Sequence, residues 1–415
     1  MGRAAGAGVG AFAARGLGWW AVIDHEPRAL VAPAGTERDP ARGRGTAGVV
    51  VALVALVTVV DAWTWRWFVH PDLGIARRAA GVLLSADWYR TYLEEPRAQM
   101  GPLAIAASRL PHAGYVVLVA ALVLPFLALA AAPLDGRRRD GLWLVACWGL
   151  VVPWAQFAWK GHADDALVLV CAALVVHALD RGARPGVVLA LWAVALLAKP
   201  TAVVFAPLVV SSAETAALAT VVFVLLWLPF VWDSPAGFLH AAKGVMRVSP
   251  HSFWGETGGL DGPPPIWLRP VQLGASTAVA VWGMARRAPA VALLLAFTVR
   301  SMAEMNPAPS YAASVVALAL LADARSGRLP VLFTLPALAA FWTSQPALEG
   351  ASGWPRILAH LTVITVSLWS LRPLPALGPV PGVRRSPASG TGTPPSSGWG
   401  TARPGPAASS GPPRA

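Results

Sequence analysis

The residues able to do ionic or acid–base chemistry in this 415-residue chain are few and fall into short segments. The first reads His70-Pro71-Asp72-Leu73-Gly74-Ile75, a carboxylate soon after a long apolar run. Asp72 suits a general base, given partial burial or a hydrogen bond to tune it. As an acid opening an apolar-periodic stretch it equally suits a helix N-cap. The same segment continues to Asp87-Trp88-Tyr89-Arg90. Asp61 lies among Trp63, Trp65 and Trp67. A carboxylate inside a membrane span marks function by default, whereas the tryptophans read as an interfacial belt.

Two further segments carry charge into apolar surroundings. Trp159-Lys160-Gly161-His162-Ala163-Asp164-Asp165 opens a helix, and its acids suit the positive end of that helix. His162 with one Asp is also a thin metal-ligand set. Lys199 is the lone cation of a long apolar stretch and is followed by Pro200. It needs water or an anionic partner, for which a lipid phosphate or a carboxylate such as Asp72 would serve, unless it snorkels to the headgroups. A later segment holds Lys243, Arg247, His251, Ser252, Trp254, Glu256 and Asp261 before three prolines. That mixture suits phosphate and sugar contacts, and a solvated loop as well. Arg300 and Glu304 are one helical turn apart and are expected to pair.

Composition says what positions these residues. Hydrophobic residues make up 56% of the chain and charged residues 13%, against roughly a quarter charged in soluble domains. Apolar segments recur at about the length that crosses ~30 Å of hydrocarbon. The expected fold is therefore all-α, a polytopic transmembrane bundle of about 11–12 helices with a helical first outer loop. The net charge of +12 does not point to nucleic acid, because the arginines sit in short connections between apolar spans, as the positive-inside rule expects. Cys147 and Cys171 both fall inside apolar spans and read as packing residues. Residues 1–45 read as a disordered cytoplasmic arm, 46–372 as the membrane domain, and the Pro/Gly/Ser-rich 373–415 as a disordered cytoplasmic tail.

Spans are expected near 47–68, 113–132, 142–157, 164–179, 186–198, 200–213, 216–232, 266–284, 289–303, 310–323, 330–343 and 356–371. With the N-terminus inside, Arg137–Arg139, Arg181, Arg184, Arg286, Arg287, Arg325 and Arg328 then fall inside. Loops 69–112 and 233–265 fall outside. The stretch 186–210 is either one helix with Lys199 at its centre or two short helices meeting at Lys199. Pro200 favours the second, since proline removes a backbone donor and disfavours helical geometry just before it.

Taken in order, these pieces resemble the polyprenyl-phosphate-mannose-dependent mannosyltransferases of the GT-C class, in particular the bacterial family 87 group. The resemblance rests on Asp72-Leu73, Tyr89 and Pro102-Leu103 in the first loop, and on His162-Ala163-Asp164-Asp165-Ala166-Leu167. It continues through Leu196-Leu197-Ala198-Lys199-Pro200 and, loosely, His251-Ser252-Phe253. It covers about residues 47–255. Two positions depart from the family pattern: Met100-Gly101-Pro102 replaces an aromatic-Pro-Pro, and Asn306-Pro307-Ala308-Pro309-Ser310-Tyr311 replaces a Ser-Pro-x-Ser-Trp segment. The resemblance implies a bacterial plasma-membrane enzyme with its site facing outward. It would move a hexose from a polyprenyl-phosphate donor, held among membrane lipid, to a glycolipid, glycan or protein acceptor, with inversion. Asp72 would be the base and Lys199 the phosphate cation. Tyr89, His162, Asp164, Arg247, His251 and Ser252 would contact substrate. No cofactor is implied, and a divalent metal stays open. A transporter or flippase of a lipid-linked glycan is the competing reading, and a catalytically silent membrane subunit a third; the absence of an internal repeat weighs against transport.

Overall fold

Prolines and glycines break the apolar sequence, and the breaks fix where its helices begin and end. The computed structural model describes residues 71–372, apart from 234, 244–246, 327–330 and 346–351, together with scattered positions between 49 and 60. The expectations for the two tails, for Asp61 and for most of the first span lie outside the described residues.

The described chain is all-helical apart from one isolated backbone bridge between Val248 and Gly262. In the loop after the first span, α1 (Pro71–Leu83) and α2 (Pro102–Ala107) flank two short turns of helix, so this loop is helical as expected. There follow α3 (His112–Ala121), α4 (Val123–Ala131), α5 (Gly136–Gly149), α6 (Val151–Lys160), α7 (Ala163–Asp180) and α8 (Pro185–Ala198). Beyond a break come α9 (Ala213–Trp232), α10 (Pro235–Lys243) and α11 (Phe253–Gly258). The C-terminal half holds α12 (Leu268–Ala285), α13 (Pro289–Met302), α14 (Pro309–Ser326), α15 (Thr334–Trp342) and α16 (Trp354–Ser370).

Helix ends follow local chemistry. Ser212 accepts from the Thr215 amide and Thr215 Oγ1 accepts from the Ser212 amide, a reciprocal cap on α9. Proline occupies the first turn of α2, α8, α13 and α16, where its missing donor costs nothing. α5 and α6 bend by 51° at Leu150, because the Pro153 ring in the next turn cannot pack over the carbonyl of Gly149.

Two expected spans turn out shorter. The stretch after Lys199 is a 3-10 turn, Pro200–Phe205, followed by Ala206–Val209. That is under about 20 Å of helix. The segment at 330–343 contributes the nine-residue α15. Irregular backbone of this kind is stable at membrane depth only when protein or a cavity covers it. The Trp192 indole donates to the Ala202 carbonyl at 2.9 Å and pins the first of these segments.

α3 with α4 and α9 are each long and apolar enough to cross a membrane, and the bent α5–α6 pair makes a third. α14 is the hub, buried from Pro309 through Ala324 and packed against α13, α15, α6 and α7. α9 is the opposite case, apolar all round yet burying only Ala219, Trp227 and Phe230. Its exposed Leu218, Val221, Val224, Leu225 and Leu228 form a surface suited to lipid rather than water. Cys147 and Cys171 are both free thiols.

The ends of α7 differ in chemistry. At its C-terminus Asp180 meets Arg325 at 3.0 Å, beside the arginine-bearing connections. At its N-terminus, about 24 Å away along the axis, Asp164 and Asp165 meet Lys199 at the C-terminal end of α8, and the neighbouring His162 meets Asp72 in the first turn of α1.

Candidate functional site

The site begins at Gly161, between α6 and α7. Its φ of +85° is a left-handed conformation that a side chain strains. A Cβ there would also stand 2.8 Å from that of Leu73. The bare glycine therefore lets α1 press its first turn against the α6–α7 corner. Asp72, in that first turn, is brought within 3.4 Å of His162 Nε2 through its Oδ2. Asp72 is thus inside α1 rather than its N-cap, since the helix starts at Pro71.

A second glycine closes the other side. The Gly101 amide donates to the Ala198 carbonyl at 2.8 Å, and a Cβ at Gly101 would overlap the Leu197 carbonyl. The returning loop is thereby fastened to the end of α8, where Lys199 adopts extended backbone before Pro200. The Tyr92 hydroxyl donates to the Met100 carbonyl at 2.8 Å and holds the same loop.

These contacts enclose a cavity of about 260 Å³. Asp72, His162, Asp164 and Lys199, all singled out by sequence, line it together. Lys199 does not reach toward headgroups: it is buried, with its ammonium 2.7 Å from Asp164 Oδ2 and 2.7 Å from Asp165 Oδ1. The expected anionic partner is thus a carboxylate pair, Asp164 and Asp165 rather than Asp72, because α7 and α8 pack with the start of one beside the end of the other. The Ala163 amide donates to Tyr115 Oη at 2.9 Å, which anchors the start of α7.

The same cavity is lined by two residues of a second ionic cluster, Arg269 and Arg300. Arg269 Nη1 donates to both Glu304 carboxylate oxygens, at 3.0 and 3.1 Å. Arg300 lies 3.6 Å from the same carboxylate, so the expected Arg300–Glu304 pair is present. Gln272 donates to Glu304 at 3.2 Å and to the Arg300 carbonyl at 2.9 Å. Tyr311 stands between the clusters, its ring 5.0 Å from the Arg300 guanidinium and 5.5 Å from the Lys199 ammonium. One pole thus carries Asp164 and Asp165 against Lys199 with Asp72 against His162, and the other carries two guanidinium groups against Glu304. Ile75, Val203, Phe223, Trp227, Phe238 and Leu273 add apolar lining to the same cavity.

Four sequence candidates lie elsewhere. Tyr89 is half-buried, packed edge-on against Trp88 and away from the cavity lining. Arg247 is exposed. Ser252 caps α11, accepting from the Gly255 amide at 3.1 Å. The His251 carbonyl accepts from Arg356 at 2.7 Å, and its ring lies 3.6 Å from Glu256. Those residues build a corner in which the Gly353 amide donates to Glu256. Lys243 ends α10, its side chain outside the described residues. Sequence reasoning passed over Arg269, Tyr92 and the part played by Tyr311. Their signal was a polar tip at the start of an apolar span, and a buried acid, Glu304, demanding more than one cation.

Within this cavity a carboxylate can take a proton at Asp72 while Arg269 and Arg300 offer positive charge to an anion. Compared with known proteins, the chain matches no protein-family model, no curated protein and no solved structure.

Proposed function

We propose that this chain is a membrane-embedded hexosyltransferase that takes its sugar, mannose by the resemblance above, from a polyprenyl phosphate and passes it to a cell-envelope acceptor. The observation that carries the reading is one cavity lined together by a partly exposed carboxylate, Asp72, by Arg269 and Arg300, and by apolar side chains. An amphiphilic donor needs those parts: cations for its phosphate, room for its sugar and apolar surface for its chain. The volume lies just below the usual range for ligand pockets of about 300–1,000 Å³, the scale of a sugar phosphate rather than a whole lipid. The prenyl chain would leave along Phe223 and Trp227 on α9, the helix whose outer surface suits lipid.

In this reading an acceptor hydroxyl gives its proton to Asp72 as its oxygen attacks the anomeric carbon. The carbon–oxygen bond to phosphate breaks on the far face, so a single displacement inverts the anomeric configuration. Arg269 and Arg300 receive the developing phosphate charge. That task passes to them from Lys199, whose charge is already met by two carboxylates. The cavity faces away from the cytoplasm, a placement supported by the arginine-bearing connections at the far end of α7. Purified protein in lipid nanodiscs should transfer labelled mannose from synthetic polyprenyl-phosphate mannose to envelope glycolipid extract. Failure to transfer any hexose, with complete lipid-linked glycan accumulating in a deletion strain, would replace transfer by lipid movement.

A further inference from the structure

The acidic pole has a vacancy in its bonding that Lys199 does not fill. Lys199 takes one oxygen from each neighbour, Oδ2 of Asp164 and Oδ1 of Asp165. The other oxygens, Asp164 Oδ1 and Asp165 Oδ2, are buried and have no hydrogen-bond partner, and the same is true of His162 Nδ1. These three atoms face one another. The imidazole nitrogen lies 3.6 Å from each oxygen, beyond the range of a real hydrogen bond. Asp164 and Asp165 are each 1% exposed and His162 8% exposed. Two buried carboxylate oxygens and an imidazole nitrogen, aimed at a common point and too far apart to hydrogen-bond one another, are costly unless a cation lies among them.

We infer that His162 Nδ1, Asp164 Oδ1 and Asp165 Oδ2 form a binding site for a divalent first-row metal ion. All three ligand atoms lie within 4.8 Å of one another. The two nitrogen–oxygen edges of 3.6 Å fit ligand–metal bonds of about 2.0–2.2 Å, with the two oxygens drawn together around the ion. One nitrogen and two carboxylate oxygens suit zinc or manganese rather than calcium, which takes oxygen ligands alone. Each carboxylate then bridges the ion and the Lys199 ammonium. Lys199 becomes the outer group that orients both ligands, a role in which charge and fixed geometry matter more than reach. His162 and Asp164 also line the cavity, so the ion would sit at its wall. An ion on Nδ1 also settles the imidazole tautomer. The ring proton must then sit on Nε2, the nitrogen 3.4 Å from Asp72. The site stands on this cluster alone and does not depend on the transferase reading.

The test uses the full chain, purified without a histidine tag, stripped with chelator and titrated with Mn²⁺ under paramagnetic-resonance detection. Co²⁺ is used in parallel for its visible bands. One tightly held ion per chain is expected, with Co²⁺ bands of a low-symmetry site. His162→Gln keeps both partners of Lys199, and Asp165→Asn leaves it one carboxylate, so both variants keep a counterion for the buried ammonium. Each should weaken binding by at least about 10- to 100-fold. Wild type that holds no ion above free Mn²⁺, or variants that bind as tightly as wild type, would overturn the site. Failure of hexose transfer with metal binding intact would count against the proposed reaction alone.

Discussion

The Lys199 ammonium donates to Asp165 Oδ1 at 2.7 Å, joining the break after α8 to the first turn of α7 across 34 positions of sequence. Both groups are nearly sealed from solvent, at 4% and 1% exposure. The pair is therefore a structural tie whose parts cannot be removed singly. In chelator-stripped protein, Lys199→Met leaves Asp164 and Asp165 buried beside each other without the ammonium that neutralised them. Removing one partner of a buried pair typically destabilises by about 3–5 kcal/mol. Thermal unfolding in detergent should show a large loss for Lys199→Met. Adding Asp164→Asn and Asp165→Asn to it should recover much of that loss. A Lys199→Met protein as stable as wild type would mean that the ammonium lies in water or among headgroups.

Asp72 differs from those acids in being partly open, its side chain 38% exposed. A half-solvated carboxylate can exchange protons, and its helix already starts at Pro71 without its help as a cap. Asp72→Asn should leave expression and melting temperature unchanged and lower hexose transfer by about 10²–10⁴-fold, the usual cost of a lost general base. Near-wild-type transfer by Asp72→Asn would remove Asp72 from the chemistry.

The sequence reached the acids, the histidine and the lysine of the cavity because each is a charge set in apolar surroundings. Such charges are costly wherever they lie in a membrane domain. The break at Lys199 was legible for a different reason: proline acts locally, on the residue before it. Pairing was not legible. Asp72, Asp164 and Asp165 are equivalent as partners for Lys199 until α7 and α8 are packed side by side. Ser252 and His251 read as ligands because polar residues in a loop look alike, whether they cap a helix or touch a substrate. The shortened helices at 200–209 and 334–342 escaped because hydrophobicity reports burial, and a half-helix covered by protein is as apolar as a full span. Arg269 was hidden by its position near the start of an apolar helix, where a membrane arginine ordinarily marks only the interface.

Gly161 offers a test of how Asp72 is placed. Alanine there must hold φ near +85°, at about 1–2 kcal/mol for a residue with a Cβ. Its methyl group would also displace Leu73, 2.8 Å away. The expected result is a folded, inserted protein with modestly lowered stability and transfer reduced by more than the stability loss explains. The measurement compares melting temperature with initial transfer rate for Gly161→Ala and for Gly182→Ala. Gly182 also has positive φ, but a Cβ there meets nothing, so strain is matched while the contact with α1 is not. Equal rates for the two variants would separate α1 placement from activity.

The arginine pole predicts a different kinetic pattern. Charge-assisted contacts contribute about 1.5–3 kcal/mol each. Arg300→Met should therefore raise the KM for a polyprenyl-phosphate donor and lower kcat, because a phosphate contact strengthens as the leaving group gains charge. The combined fall in kcat/KM should be on the order of 10- to 100-fold. Arg300→Lys should recover only part of it, since an ammonium lacks the planar fork. Glu304 keeps Arg269 as a partner at 3.0 Å in either variant, so the fold should hold. An unchanged donor KM in Arg300→Met would leave the phosphate without its proposed receptor.

The side of the membrane that the cavity faces can be read by chemical labelling. Single cysteines are placed in a background where Cys147 and Cys171 are replaced by alanine. Ser85 lies just past α1 and Thr257 lies in α11; both are exposed and belong to the two loops expected outside. Asp140, exposed in the first turns of α5, belongs to the arginine-bearing connection expected inside. An impermeant maleimide applied to intact cells should label Ser85→Cys and Thr257→Cys and spare Asp140→Cys until the membrane is opened. The arginines predict this orientation because Arg137, Arg138 and Arg139 flank the start of α5, while Arg181 and Arg184 sit at the other end of α7 from the cavity. Basic residues within reach of a span's end resist translocation. The short stretch at 200–209 makes the experiment decisive for the chain's path as well. If that stretch dips in and returns on one side, the parity of later crossings changes, and Thr257→Cys would be shielded while Ser85→Cys is labelled. Labelling of Asp140→Cys alone would turn the whole domain over. It would put the Asp72 cavity on the cytoplasmic side, where the acceptor would have to be a cytoplasmic-leaflet molecule.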